Sequence, residues 1–158
     1  MLGLDTNVVM RLLVMDDAEQ TRRARKLIEQ SLDREEPVLV SLLVLIESEW
    51  VLRSSYGFKR DAVLNMFRAL LEARELTFED EPAVEEALFY WKDSACGFAD
   101  CLITAHNRQL GCRATATFGA AGRAPSARIA RNIATEQWPR RSRAVLSGTP
   151  TWTRREAK

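Results

Sequence analysis

Pro37-Val38-Leu39-Val40-Ser41-Leu42-Leu43-Val44-Leu45-Ile46-Glu47 is the stretch whose reading decides the fold. Pro37 interrupts the helical pattern that precedes it. Val38, Leu39 and Val40 form a compact run with apolar side chains on both faces, which suits a strand buried inside a parallel sheet. Ser41 then stands where a helix cap is wanted, and the helix it opens runs to about residue 54, before Tyr56-Gly57. A doubly buried strand feeding straight into a helix is half of a strand–helix–strand unit.

The flanks continue that unit in both directions. Upstream, Met1 to Leu4 reads as a short strand running into Asp5-Thr6-Asn7, and residues 8–14 read as a short helix. Asp17 caps a second helix, with Gln20 at its third position. Ala24, Leu27 and Ile28 form the apolar stripe of that helix, while Arg22, Arg23, Arg25 and Lys26 face elsewhere. Downstream, residues 59–73 are strongly periodic, and Leu76-Thr77-Phe78 is a short strand. Pro82 sits at a first helical position ahead of Val84, Ala87, Leu88 and Trp91. A helix over residues 98–109 closes at Gly111, and residues 113–118 read as a further strand. Strands alternating with helices predict an α/β domain around a mostly parallel sheet. Beyond about residue 130 the pattern fails, so the expected organisation is a domain over 1–130 and an irregular basic tail over 131–158.

Composition agrees with a globular domain: 158 residues, 46% hydrophobic and 28% charged. No apolar run approaches a membrane span, and no basic-then-apolar leader precedes Asp5, so a cytoplasmic location is expected. Cys96, Cys101 and Cys112 are too few for a disulfide scaffold and lack zinc-ligand spacing. The net charge of +1 conceals a split, since residues 1–130 carry −4 and residues 131–158 carry +5.

Three carboxylates carry the chemistry. Ligand sites of parallel α/β sheets lie beyond the carboxyl ends of the strands. Asp5 follows the first strand directly, although a cap for the next helix explains it equally well. Glu47 shares a helix face with Leu43, Trp50 and Val51, so it is expected to point inward. Glu49 has Arg53 one turn ahead and is expected to pair on the solvent side. A buried Glu47 satisfied by a local partner is the bland alternative. Asp100 lies in the first turn of its helix, where the helix dipole alone favours an acid. Three such acids in one crevice repel one another until a cation binds. A hard divalent ion such as Mg²⁺ suits carboxylate oxygens and phosphodiester hydrolysis.

Four pieces of sequence carry a resemblance: Leu4-Asp5-Thr6-Asn7, then Glu47 with Trp50-Val51-Leu52, then Gly97-Phe98-Ala99-Asp100-Cys101-Leu102-Ile103, then Thr115 with Thr117-Phe118. Over about residues 1–130 the chain resembles the PIN-domain ribonucleases, and among them the VapC toxins of VapBC toxin–antitoxin modules. The resemblance implies a PIN-like α/β/α sandwich with a mostly parallel central sheet, RNA cleavage dependent on Mg²⁺ or Mn²⁺, a homodimer, and a toxin–antitoxin hetero-oligomer formed with a cognate VapB-like antitoxin. Asp5, Glu47 and Asp100 match the family's metal-binding acids, Thr117 its site-lining hydroxyl, and Asn7 the polar residue that orders the first acid.

Two features depart from the family. Where the family continues Thr-Phe into a fourth acid this chain has Gly119, so weakened metal binding or a reduced rate is expected. This leaves a second reading, a catalytically weak PIN-like module that binds antitoxin or RNA without efficient turnover. The basic tail is the other departure, read either as an RNA-binding extension with Trp138 and Trp152 or as an end without a role. Other enzyme classes have little support. His106 is the sole histidine, which excludes a paired-histidine ribonuclease and suits a packing or surface role. No glycine-rich phosphate loop is present, and Asp5-Thr6-Asn7 lacks the second acid of an aspartate-nucleophile phosphatase. Arg11, Arg53, Lys59, Arg60 and Arg108 are candidate guides for an RNA backbone, with ordinary solvated arginine as the bland reading.

Overall fold

The computed structural model describes residues 1–117 and the strand at 130–132. The expectations for Phe118, Gly119 and residues 133–158 fall outside the described residues. In chain order the elements are β1 (Leu2–Gly3), α1 (Thr6–Val14), α2 (Ala18–Leu32), β2 (Val38–Val40), α3 (Leu42–Ser54), α4 (Arg60–Leu71), β3 (Leu76–Phe78), α5 (Glu81–Asp93), α6 (Phe98–Gln109), β4 (Thr115–Thr117) and β5 (Ala130–Asn132).

The helix starts follow from local chemistry. Asp5, Asp17, Ser41 and Asp80 each accept a backbone N–H of the first turn they cap, at Val8, Gln20, Val44 and Ala83. Pro82 occupies the second helical position rather than the first, because Asp80 is the cap and Glu81 begins the helix. Gly111 ends α6 at φ 84°, a left-handed conformation that favours glycine.

β2 is the middle strand of a parallel sheet in the order β1-β2-β3, with Leu2 opposite Val38 and Val38 opposite Leu76. Val38 and Val40 are fully buried, as a strand covered on both faces requires. The fourth strand departs from the single sheet expected: β4 pairs in parallel with β5, Thr115 opposite Ala130, and not with β1, β2 or β3. On β4, Thr115 and Thr117 are half buried and Ala116 is exposed. β5 runs across the expected boundary at residue 130. The resulting architecture is an α/β/α one, with six helices among the described residues around the three-stranded parallel sheet. Among the described residues no helix is long and apolar enough to cross a membrane.

The core joins the sheet to α3, α4, α5 and α6 through Val9, Val40, Leu45, Leu52, Phe67, Val84, Trp91 and Leu102. Phe98 is its hub: its ring meets Phe67 edge-on at 5.2 Å and lies 5.3 Å from Trp91. Cys96 and Cys101 are buried and Cys112 is exposed, as expected of ordinary thiols. Burial pushes the Cys101 thiol up, so it is kept neutral and unreactive. His106 takes the packing role expected of it, with Nδ1 2.6 Å from Asp80 Oδ2, which ties α6 to the cap of α5.

At the turn from α1 to α2, Asp16 pairs with Arg11 and accepts the Tyr56 hydroxyl at 2.8 Å. The Arg11 hydrogen bond, seconded by Tyr56, holds the Asp16 carboxyl below the usual Asp range. A depressed folded value means that its contribution is present above the unfolded pKa, near 4, and is lost as pH falls through the folded value. The expected result is that Asp16→Asn loses stability at pH 7 and loses little at strongly acid pH. Urea midpoints at the two pH values check this, and equal losses at both would contradict it.

Candidate active site

Asp5 and Glu47 lie at helices that directly follow strands, whereas Asp100 lies on α6, which follows α5. Asp5 sits between β1 and α1, exposed, with Oδ1 accepting the Val8 N–H at 2.9 Å. The capping reading of Asp5 therefore holds, and it uses only one carboxylate oxygen. Glu47, in the middle of α3, accepts the buried Thr6 hydroxyl at 2.6 Å through Oε2. That bond brings the start of α1 and the middle of α3 together, so the first two acids share a neighbourhood. Asp100 stands in the first turn of α6, a helix that packs on α3. Its Oδ2 curls back over Gly97, 3.6 Å from where a β-carbon on that residue would sit.

Glu47 is exposed, against the expectation that it points inward. The buried positions of α3 are Leu42, Leu45, Ser48 and Leu52, whereas Leu43 and Trp50 are 77% and 64% exposed. The helix is apolar almost all round, so apolar neighbours one turn away did not mark its core side. The Glu49–Arg53 pair forms as expected, at 3.4 Å, but the Glu49 side chain is the shielded one at 13% exposure.

None of Asp5, Glu47 and Asp100 forms an ion pair with a described residue. Asn7 is exposed two residues after Asp5, and Thr117 is half buried on β4. Sequence reasoning missed two residues. Thr6 is the donor that fixes Glu47, and Glu79, directly after β3, accepts the Leu42 N–H at 2.9 Å and so orders the start of α3. The signal for Glu79 was present, since it follows its strand as Asp5 follows β1.

The arginines proposed as guides are mostly committed locally. Arg11 bonds Asp16 and Gln20, Arg53 bonds Glu49, and Arg108 bonds Glu86. Arg60 lies over the Trp91 ring and donates to the carbonyls of Trp91 and Ser94 at 3.1 and 2.5 Å. It thereby satisfies the end of α5 and fixes the loop that leads into α6. Arg60→Ala is expected to lower stability by about 1–3 kcal/mol, the cost of charged hydrogen bonds lost to partly buried carbonyls. A two-state urea titration reads that change, and a loss below a few tenths would show the clamp to be idle.

The family model of the PIN domain matches residues 3–121. The chain belongs to the PIN-domain family. The matched segment contains all three acids, together with Asn7 and Thr117. Among curated proteins none matches the chain. PIN domains are generally nucleases that use divalent metal ions.

This PIN domain fits such an ion in donor type, because its carboxylates are hard oxygen ligands that no described cation neutralises. Their side chains are not drawn together: among the described residues no three His, Cys, Asp or Glu stand in range of one common ion. Like charges repel, and each acid is turned to a local contact, the Val8 N–H, the Thr6 hydroxyl or the Gly97 cap. All three are exposed, so rotation of their side chains breaks no core packing.

Proposed function

We propose that this PIN domain is a metal-dependent endoribonuclease, the VapC-like toxin of a type II toxin–antitoxin module, with Asp5, Glu47 and Asp100 holding Mg²⁺ or Mn²⁺. The observation that carries the reading is the set of three exposed, unpaired acids at the starts or on the faces of α1, α3 and α6, within the family match. When bound, the divalent ion supplies Lewis acidity toward a phosphodiester. Around it the chain does the positioning. The Val8 N–H fixes one oxygen of Asp5, and the Thr6 hydroxyl holds Oε2 of Glu47, leaving Oε1 as a ligand. The N-terminus of α6 supports the negative charge of Asp100. Asn7 and Thr117 support the site from α1 and β4.

The partners proposed with this reading are an RNA substrate, a second copy of the chain in a homodimer, and a cognate VapB-like antitoxin that forms the hetero-oligomer. An antitoxin segment covering three carboxylates fits best with a basic side chain. The site of action proposed is the cytoplasm.

Incubation of the purified chain with total RNA in Mg²⁺, in Mn²⁺ and in EDTA, followed by mapping of the new ends, tests the reading. Discrete cuts in either metal and none in EDTA are the expected result. The second reading, a weak binding module, is favoured by Gly119 and by the separation of the acids. RNA or antitoxin binding without metal-dependent cuts would give it precedence.

A further inference from the structure

We propose that Thr6 is a positioning residue that sets which cation the metal centre takes, shifting its preference from Ca²⁺ toward Mg²⁺ and Mn²⁺. This rests on the metal-centre reading above and adds to it the selectivity of that centre. The observation is the bond from the Thr6 hydroxyl to Oε2 of Glu47 at 2.6 Å, between residues 41 positions apart. Thr6 is buried, whereas Glu47 is exposed. An exposed glutamate finds hydrogen bonds in water, but a buried hydroxyl has no such alternative. Parting the two strands the Thr6 hydroxyl, and that cost holds Oε2 against a cation as well as against solvent. The same helical turn treats Asp5 alike. Its Oδ1 accepts the Val8 N–H at 2.9 Å, so the first three residues of α1 occupy one oxygen of each of two acids.

One oxygen then remains on each of these carboxylates, Oε1 of Glu47 and Oδ2 of Asp5, and the two kinds of ion use such ligands differently. Mg²⁺ takes about six oxygens at roughly 2.0–2.1 Å and keeps several waters, so acids that give one oxygen apiece satisfy it. Ca²⁺ takes about 6–8 oxygens at roughly 2.3–2.6 Å and gains from a carboxylate that offers both. A hydroxyl bond to Oε2 draws charge from that oxygen and fixes the carboxylate plane. Coordination through both oxygens is the mode it suppresses. Glu47 decides the selectivity because its bond comes from a side chain, which substitution can remove, whereas the Val8 N–H stays in every variant.

Thr6→Val deletes the donor and keeps a branched side chain at the buried position, while Thr6→Ser keeps the donor. The probe is Mn²⁺, titrated into the full chain and followed by the electron paramagnetic resonance signal of the free ion, with Mg²⁺ or Ca²⁺ as competitor. The quantity read is the ratio of the Mg²⁺ and Ca²⁺ dissociation constants. Thr6→Val is expected to move that ratio about tenfold toward Ca²⁺, the lower end of what losing the partner of a metal ligand costs, and Thr6→Ser to stay within about threefold of the natural chain. A merely structural Thr6 would move both constants in parallel, and an unchanged ratio overturns the proposal. Glu47→Gln ties the effect to its residue, because in that background Thr6→Val is expected to leave the ratio alone. A shift that persists there overturns the proposal as well. A natural chain that takes up no Mn²⁺ removes the metal-centre reading and the proposal together. A shifted ratio without RNA cleavage in Mg²⁺ or Mn²⁺ leaves the selectivity standing and removes the nuclease reading alone.

Discussion

Asp100→Asn is expected to lower metal-dependent RNA cleavage by at least about a hundredfold while the protein stays folded. Asparagine keeps the shape of the side chain and removes the charge, so a hard divalent ion loses one of three anionic ligands. Loss of a single electrostatic element of a catalytic site costs roughly 10²–10³ in rate. Stability should change little, because Asp100 is exposed and its carboxylate supports only the dipole of α6, worth about 0.3–1 kcal/mol. Thr104 bonds the Asp100 backbone carbonyl at 2.8 Å, and that bond survives the substitution. Glu49→Gln is the matched control, since Glu49 is on the same helix as Glu47 but pairs with Arg53. Its cleavage rate should match the natural chain. The comparison is read as initial rates on a mapped RNA fragment, with circular dichroism reporting the fold. Cleavage by the Asp100→Asn chain within threefold of the natural rate would remove Asp100 from the metal set.

Phe98→Ala should cost about 3–5 kcal/mol, the usual range for deleting a buried aromatic ring. Phe98 is fully buried as the first residue of α6, with its ring against both Phe67 and Trp91. Its removal opens a cavity at the junction of α4, α5 and α6. A domain of this size has roughly 5–15 kcal/mol in total, so the variant sits near the edge of folding. Phe98→Leu should retain more of that stability, because most of the volume stays. Urea midpoints of the two variants give the comparison. A Phe98→Ala loss below about 1 kcal/mol would mean that the aromatic cluster does not anchor α6. The two substitutions are expected to separate effects two residues apart in one helical turn, Asp100→Asn on rate and Phe98→Ala on stability.

Much of the frame was legible in the sequence because local chemistry dictates it. Caps at Asp17 and Ser41, the breaker Pro37, the doubly apolar Val38-Leu39-Val40 and the terminator Gly111 each act within a few residues of themselves. Their positions in the structure match the reading to within a residue or two. Asp5 and Glu47 could be singled out by their places after strands and Asp100 by its place in the first turn of a helix, and the family match covers all of them. Glu47 was misplaced because orientation on an all-round apolar helix depends on which neighbours arrive, and α3 meets α1, α4 and α6. The same limit hid Thr6, whose hydroxyl gains its meaning only from a residue 41 positions away.

The sequence by itself determined the alternation of strands and helices, the parallel class of the main sheet, and the three carboxylates as candidates. Hydrophobic periodicity and capping are short-range effects, so they are written in consecutive residues. The tertiary structure alone decided that Thr6 joins Glu47 to the start of α1, that Arg60 clamps the approach to α6, and that β4 pairs with β5 apart from the main sheet. It also decided that Arg23 and Arg22, adjacent in the chain, belong to different clefts. These are contacts between elements distant in sequence, and their free energy exists only once packing has brought both partners to one place.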